Sequence, residues 1–169
     1  NGTIYNFKDI KKFLQRKIKF KTNSDTEVFV NSFNYWGIKC FNYFDGMWAA
    51  AIHDFKYNST YLSRDYAGQK PLFYYHNKNN LIFSSQINGI FEVKNDFKFS
   101  KKNALEYFKF NHFPAPLTGY EKLFQVSPGE IISFKKDKIS KKNYWNLEKG
   151  GDYNKFFEKN YLKSISGLF

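Results

Sequence analysis

The residues of this sequence that could do nucleophilic or metal chemistry are few and far apart. Cys40 is the only cysteine, so the chain cannot form an internal disulfide framework. The histidines His53, His76 and His112 are widely separated and lack the spacing of a metal site. We therefore expect a reduced, cytoplasmic protein that binds no metal.

Two short phrases place polar groups where the chain must turn or where a helix must begin. Asn1-Gly2 is a turn dipeptide that tolerates positive φ. Ser24 and Glu27 have the spacing of a capping box, in which the Ser24 hydroxyl covers a free amide and Glu27 reaches back. Asp25 then lies in the first helical turn, where the helix dipole favours a carboxylate. From the residues alone, an ordinary turn and an ordinary cap would explain both phrases.

The charge of the chain raises the question of an anionic partner. The net charge is +12, but almost all of it is lysine, with arginine only at Arg16 and Arg64. Proteins that recognise phosphates and bases commonly use the arginine guanidinium group, which forms two hydrogen bonds at once. Lys, Asn, Phe, Tyr and Ile are abundant together, which is typical of an A+T-rich coding bias. We expect a solvated surface and no nucleic-acid partner; RNA binding remains an alternative that would weaken steeply with salt.

The hydrophobic pattern predicts an α+β domain in which helix layers cover a sheet. No run approaches the roughly 18 apolar residues of a membrane span, so no membrane partner is expected. The last predicted helix follows Ser100 and turns Ala104, Leu105 and Phe108 inward. The pattern predicts helices at 7–16 and 24–36, the latter ended by Gly37, and strands at 47–55, 60–65, 71–76, 81–85, 130–134 and around 143–147.

Two of these strand predictions concern how the sheets are built. Residues 47–55 are apolar on both alternating faces until His53, as in a central strand that is covered on both sides. The three strands between residues 60 and 85 follow one another closely, which suggests a meander. The segment 148–154 has the composition of a linker.

Several phrases, in this order, resemble the glutaminase domain of glutamine-hydrolysing asparagine synthetases, a branch of the class II glutamine amidotransferases. They are NGTIYN, SDTEV, FDGMWAAAIHD, SRDYAGQKPLFYY, LIFSSQINGI, PLTGYEKLFQVSPGE and NYWNL. The resemblance covers residues 1–147, a partial amidotransferase domain, and leaves 148–169 as linker and the start of the synthetase domain. The second-best resemblance within the amidotransferases is to the glucosamine-6-phosphate or phosphoribosylamine branch. The phrases IYN and SDTEV and the YW near residue 145 argue against that branch.

The resemblance implies a four-layer αββα sandwich of the N-terminal-nucleophile hydrolase type. In such enzymes an N-terminal cysteine attacks the amide of glutamine, with its own α-amino group as the base. The ammonia passes to a synthetase domain that amidates aspartate with ATP and Mg²⁺, so the resemblance implies no cofactor in the glutaminase domain itself. Related enzymes are often homodimers, and variants from surface-polysaccharide clusters leave other amide acceptors open.

The resemblance also assigns roles to single residues. Asn1 and Gly2 would form the oxyanion hole, and Asp25 would pair with the α-ammonium of glutamine. Thr3 departs from the family, which usually has a glutamate there that helps to bind the charged end of the amino acid, so glutamine affinity is in question.

Other matched positions are expected to be structural. Arg64 and Asp65 would lock a turn through charge-assisted hydrogen bonds, with Gly68 supplying its backbone angle, and Cys40 would be a buried thiol. Gln86 departs from a family glutamate near the synthetase interface, so domain coupling could differ.

The sequence begins where the family domain is already under way, so we expect an N-terminally truncated chain without its nucleophile. A fragment of this kind should be inactive by itself. A degenerate, non-catalytic module that binds glutamine or a partner protein is the alternative.

Overall fold

A computed structural model describes residues 1–146; the predictions for 148–169 lie outside these residues. The helices are Phe7–Leu14 (α1), Asp25–Trp36 (α2), Ile87–Phe91 (α3) and Lys101–Phe110 (α4), with a 3-10 helix at Gly37–Tyr43. The strands are Gly2–Ile4 (β1), Gly46–Asp54 (β2), Ser59–Arg64 (β3), Phe73–His76 (β4), Leu81–Ser84 (β5), Leu123–Gln125 (β6), Glu130–Lys135 (β7) and Lys138–Asn143 (β8).

The described strands form two sheets that pack face to face. One has the order β1-β2-β3-β7-β8 and the other the order β5-β4-β6. Leu62 and Ile132 from the larger sheet meet Tyr74 of the smaller sheet in one buried cluster. Burial of these side chains between the sheets is the main favourable term that holds the two layers together.

The other face of the smaller sheet is covered by α3. Ile90 of this helix is fully buried against Tyr75 and Leu123, with a ring of partly buried aromatic residues around them. The central strand of the smaller sheet, β4, is therefore buried on both faces, through Tyr74 on one and Tyr75 on the other. The described chain thus contains a sheet, a second sheet and a helix in successive layers.

The chain divides into two compact units. The first comprises Asn1–Gly2 and Met47–Asn143; the second comprises Thr3–Gly46 and, among the described residues, 144–146. In the second unit Ile10 and Leu14 of α1 and Val28 of α2 are buried. No helix within residues 1–146 is long and apolar enough to cross a membrane.

The beginning of α2 differs in part from the predicted capping box. The Ser24 side chain accepts from the backbone N–H of Thr26, as a helix cap should. Glu27, however, accepts from the amides of Lys21 and Thr22 and from the Thr22 hydroxyl instead of reaching back to Ser24. These contacts, the Lys21 amide first, lower the pKa of Glu27. The preceding loop offers three donors, whereas the Ser24 amide already donates to the Thr22 hydroxyl.

The predicted meander is wrong, although the strands themselves exist. Strand β3 pairs with β2 and β7, whereas β4 pairs with β5 and β6 in the other sheet. The turn after Arg64 carries the chain from one sheet to the other. The last strand also lies earlier than expected, at Lys138–Asn143, because it pairs with β7 across a tight turn at Lys136 and Asp137, both with positive φ.

Two burial predictions are also wrong. Strand β2 is an inner strand, but it is buried on both faces only near Trp48 and Ala49, since Ala51 is already exposed. Ser100 caps α4 as predicted, yet Leu105 and Phe108 point to water instead of inward. Hydrophobic periodicity marks an apolar helix face, but it does not say whether this domain or another surface covers that face. The α+β class is confirmed.

Candidate active site

Asn1, which precedes Gly2 at the start of the chain, is hydrogen-bonded to β2 through its backbone. The Ala49 N–H donates to the carbonyl of Asn1 at 2.8 Å, and the Asn1 nitrogen donates to the Ala49 carbonyl at 3.1 Å. Within the described part of the chain the side-chain amide of Asn1 makes no hydrogen bond, and the residue is exposed. A fixed backbone with an available amide donor suits the predicted oxyanion role, which stays a prediction.

Gly2 is required by how closely β1 approaches β2. Its φ is +132°, and a Cβ there would lie 2.1 Å from the carbonyl oxygen of Met47 and 2.7 Å from Cα of Trp48. Any side chain would push the first strand away from its neighbour. The Asn-Gly pair is therefore part of a packed strand edge and is not a simple turn.

A hydrogen bond joins Ile4 and Asp25 in the second unit. Oδ2 of Asp25 accepts from the Ile4 N–H at 3.1 Å, and Asp25 is half-buried as the first residue of α2. Among the described residues Oδ1 has no hydrogen-bond donor. One oxygen thus holds the chain in place while the other can receive a ligand donor. Thr3 is exposed and adds no charge.

Arg64 directs all three of its guanidinium nitrogens to backbone carbonyls. They donate to Lys70 at 2.7 Å, to Val126 at 3.0 Å and to Gly68 at 2.5 Å. Burial lowers the pKa of Arg64, and the charge of Asp65 opposes that shift. Gly68 has φ +67°, and a Cβ there would lie 2.8 Å from Pro128 and 3.2 Å from the guanidinium carbon.

Asp65 is fully buried and joins this turn to β2. Its carboxylate accepts from the amides of Ala67, Gln69 and Lys70 within the turn. It also accepts from the Trp48 N–H at 3.3 Å, while its own N–H donates to the Trp48 carbonyl at 2.9 Å. Because Trp48 precedes the residue that pairs with Asn1, Asp65 supports the strand on which the candidate oxyanion hole rests.

The structure also locates Cys40 and Gln86, the other two polar residues that the sequence pointed to. Cys40 is fully buried, and burial raises the pKa of its thiol, so it is unsuited to nucleophilic attack. Gln86 is exposed at the beginning of α3. Within residues 1–146 no group of three or more His, Cys, Asp or Glu could hold a metal ion.

The sequence did not predict that backbone groups of β2 would position the candidate site residues. The N–H and C=O of Ala49 and of Trp48 position Asn1 and Asp65, yet every residue type carries these groups. The only available signal was indirect: a glycine at position 2, beside a strand rich in small residues, permits close backbone contact.

Two solved structures share the fold. Glutamine phosphoribosylpyrophosphate amidotransferase from Bacillus subtilis matches with a TM-score of 0.60 at 20% identity, covering 85% of this chain and 28% of that one. A structure described as the allosteric regulatory enzyme of purine biosynthesis matches with a TM-score of 0.59 at 19% identity, covering 85% and 27%. The predicted fold type is confirmed.

The chain belongs to the glutamine amidotransferase domain family, whose family model matches residues 1–145. A Methanocaldococcus jannaschii protein described as asparagine synthetase (glutamine-hydrolysing) 2 is 36% identical over 96% of this chain and 32% of its own length. Asparagine synthetase (glutamine-hydrolysing) 3 of Bacillus subtilis is 32% identical over 88% of this chain and 25% of its own. The chain therefore spans about a third or less of the relatives it matches.

Proposed function

We propose that this chain is the glutaminase part of a glutamine-hydrolysing asparagine synthetase. Membership of the amidotransferase family over residues 1–145 is the observation that carries the proposal. The intact protein would hydrolyse glutamine to glutamate and ammonia. A synthetase portion outside this sequence would use ATP and Mg²⁺ to amidate aspartate. The domain boundary at residue 147, a dimeric state and a cytoplasmic location remain predictions.

The chemistry divides between a thiol and the residues described above. An N-terminal cysteine thiol outside this sequence would attack the amide carbon of glutamine, and the C–N bond would break as ammonia leaves with the thiol proton. Water then hydrolyses the thioester to glutamate and restores the thiol. In both steps the Asn1 side-chain amide and the Gly2 N–H would stabilise the oxyanion.

Asp25 would recognise the substrate through its α-ammonium group. Its Oδ2 is held by the Ile4 N–H, which leaves Oδ1 to accept from the ligand. A hydrogen bond to a charged group contributes about 1.5–3 kcal/mol. Asp25→Asn should therefore raise KM for glutamine roughly 10- to 100-fold.

The test uses the native gene product and three assays: glutamate release, glutamine-dependent asparagine formation and ammonia-dependent asparagine formation. Asp25→Asn should impair the first two and leave the third unchanged, because ammonia bypasses the glutaminase site. Asp9→Asn, at an exposed carboxylate in the first turn of α1, is the matched control. No glutamate release by the unaltered protein would refute the proposal. Glutamine binding in a calorimeter without turnover would favour the non-catalytic alternative.

A further inference from the structure

Asn6 occupies the N-cap position of α1 but does not use its side chain to cap the helix. Its backbone carbonyl accepts from the amides of Asp9 and Ile10 at 3.1 and 3.2 Å, while its side chain makes no cap hydrogen bond. The backbone at Asn6, with φ −88° and ψ 20°, also differs from the extended conformation that brings an N-cap side chain over the free amides. The side-chain amide of Asn6 is therefore available for contacts outside the helix.

The Asn6 side chain joins the chain before α1 to the segment before β2. Its Nδ2 donates to the Tyr43 carbonyl at 2.8 Å, and its Oδ1 accepts from the Asp45 N–H at 3.0 Å. Beside these bonds, the Tyr5 N–H donates to the Asp45 carbonyl at 2.6 Å. Three hydrogen bonds thus hold Tyr5 and Asn6 against this segment, and we call these three bonds the Asn6 clamp.

The Asn6 clamp requires both ends of an amide group. An aspartate at position 6 could accept from the Asp45 N–H, but it has no N–H to donate to the Tyr43 carbonyl. Serine, threonine and aspartate are all good N-cap residues, so helix capping does not by itself select asparagine. The clamp, and not the helix cap, therefore accounts for an asparagine at this position.

The residue just before the clamp makes the contact with Asp25. The Ile4 N–H donates to Oδ2 of Asp25 at 3.1 Å, and Ile4 is buried. The backbone here is closely packed, since a Cβ at Gly46 would lie 2.2 Å from the carbonyl oxygen of Thr3. Because Tyr5 directly follows Ile4 in the chain, the clamp fixes where the Ile4 N–H lies.

We propose that Asn6 is a positioning residue for glutamine binding, an inference that rests on the proposed function. Asn6 fixes the Ile4 N–H, which holds one carboxylate oxygen of Asp25 and leaves the other directed at the α-ammonium group of the substrate. The candidate oxyanion hole has a separate attachment, since Asn1 is bonded to Ala49 in both directions. Loss of the clamp should therefore weaken glutamine binding more than it slows the reaction.

The test is Asn6→Asp in the native gene product. The variant keeps an acceptor for the Asp45 N–H and remains a good N-cap residue, but it sets a carboxylate against the Tyr43 carbonyl. KM for glutamine should rise roughly 3- to 10-fold, as expected for one lost neutral hydrogen bond. The kcat for glutamate release should change less than about twofold, because the loss is one of binding. Asn6→Ser, which also caps helices but is too short to reach both groups, should act in the same way.

Asn77→Asp is the matched control for the added charge. Oδ1 of Asn77 accepts from the Asn79 and Asn80 amides in an exposed turn, and a carboxylate oxygen accepts from them equally well. This variant should leave KM for glutamine unchanged.

A double-mutant cycle distinguishes positioning from general damage. If Asn6 acts through Asp25, adding Asn6→Asp to Asp25→Asn should change KM less than about twofold, because the contact that Asn6 positions is already lost. Two fully additive effects on KM would overturn the proposal. A KM that neither Asn6→Asp nor Asn6→Ser changes would overturn it as well.

Hydrogen exchange provides a readout that does not depend on activity. The Ile4 and Tyr5 amides should exchange faster in Asn6→Asp than in the unaltered protein, and Asn77→Asp should leave their exchange unchanged. Equal exchange in all three proteins would contradict the clamp. If the unaltered protein releases no glutamate, the proposed function fails, and the exchange experiment still decides whether Asn6 maintains the contact between Ile4 and Asp25.

Discussion

Replacing Asp65 should destabilise the protein far more than replacing other turn aspartates. Its buried carboxylate accepts from four backbone amides, those of Trp48, Ala67, Gln69 and Lys70. In Asp65→Asn an NH2 group replaces one carboxylate oxygen. That NH2 group is a donor and would face backbone N–H groups that also need an acceptor. An unsatisfied buried donor costs about 1–3 kcal/mol, and hydrogen bonds to a charged group contribute about 1.5–3 kcal/mol each.

The expected loss is smaller than the sum of these bonds. The three turn amides are partly exposed and can bind water, whereas the Trp48 amide is buried. Arg64 would also lose the neighbouring charge that opposes the lowering of its pKa by burial. We therefore expect Asp65→Asn to lower the free energy of unfolding by about 3–5 kcal/mol, close to the cost of breaking a buried charged network.

Urea unfolding of the native gene product, with hydrogen exchange across β2 to localise the change, measures this loss. Asp54→Asn is the matched control, since Asp54 also caps a turn: its Oδ1 accepts from the Lys56 and Tyr57 amides through hydrogen bonds that are exposed to water. Its cost should stay below about 1 kcal/mol. If the two variants unfold at the same urea concentration, burial of the Asp65 carboxylate does not have the energetic role that its geometry implies.

Three further predictions concern single residues. Gly2→Ala should abolish glutamine turnover, because the new Cβ would lie 2.1 Å from the Met47 carbonyl oxygen. Gly37→Ala should cost about 1–3 kcal/mol of stability without affecting turnover, because φ +60° with ψ −146° is a backbone conformation that suits glycine almost alone, although no atom lies within 4 Å of the new Cβ. Cys40 should resist thiol reagents in the native protein and react after unfolding, as mass spectrometry of its peptide would show; rapid native labelling would contradict its burial. Burial, followed by the charge of Lys141, lowers the pKa of His76 below its usual 6.5. The unfolded state therefore binds the proton more readily than the folded state. The free energy of unfolding should fall as the pH drops below about 6.5. His76→Gln should flatten that slope between about pH 7.5 and pH 5.5 in urea unfolding, and an unchanged slope would exclude His76 as its source.

The sequence predicted local elements better than their partners. Helix α2 begins at the Ser24 cap and ends at Gly37, whose positive φ stops it, because both signals act within a few residues. The short strands β1 and β6, at Gly2–Ile4 and Leu123–Gln125, were missed, since three residues carry no readable alternation.

Errors in the predicted fold arose where distant segments decide the outcome. The distribution of β3 and β4 between two sheets depends on the turn that Arg64 and Asp65 lock, and their bonds to Val126 and Trp48 connect segments far apart in the chain. For α4, the pattern identified apolar residues but could not show that Leu105 and Phe108 stay exposed in this domain. Family resemblance named Asn1 and Asp25, whereas the supporting amides of β2 became visible only in the structure.

The hydrogen-bonding capacity left on each polar side chain separates structural residues from candidate ligands. The Asp65 carboxylate has both oxygens occupied by backbone donors of its own chain, so little remains for a substrate. In the described part of the chain, Asn1 keeps its whole side-chain amide and Asp25 keeps one oxygen. These residues are fixed through other atoms, Asn1 through its backbone and Asp25 through its second oxygen. A group that is held firmly but incompletely satisfied is what binding requires, because orientation costs little and unused polar capacity is available to the ligand.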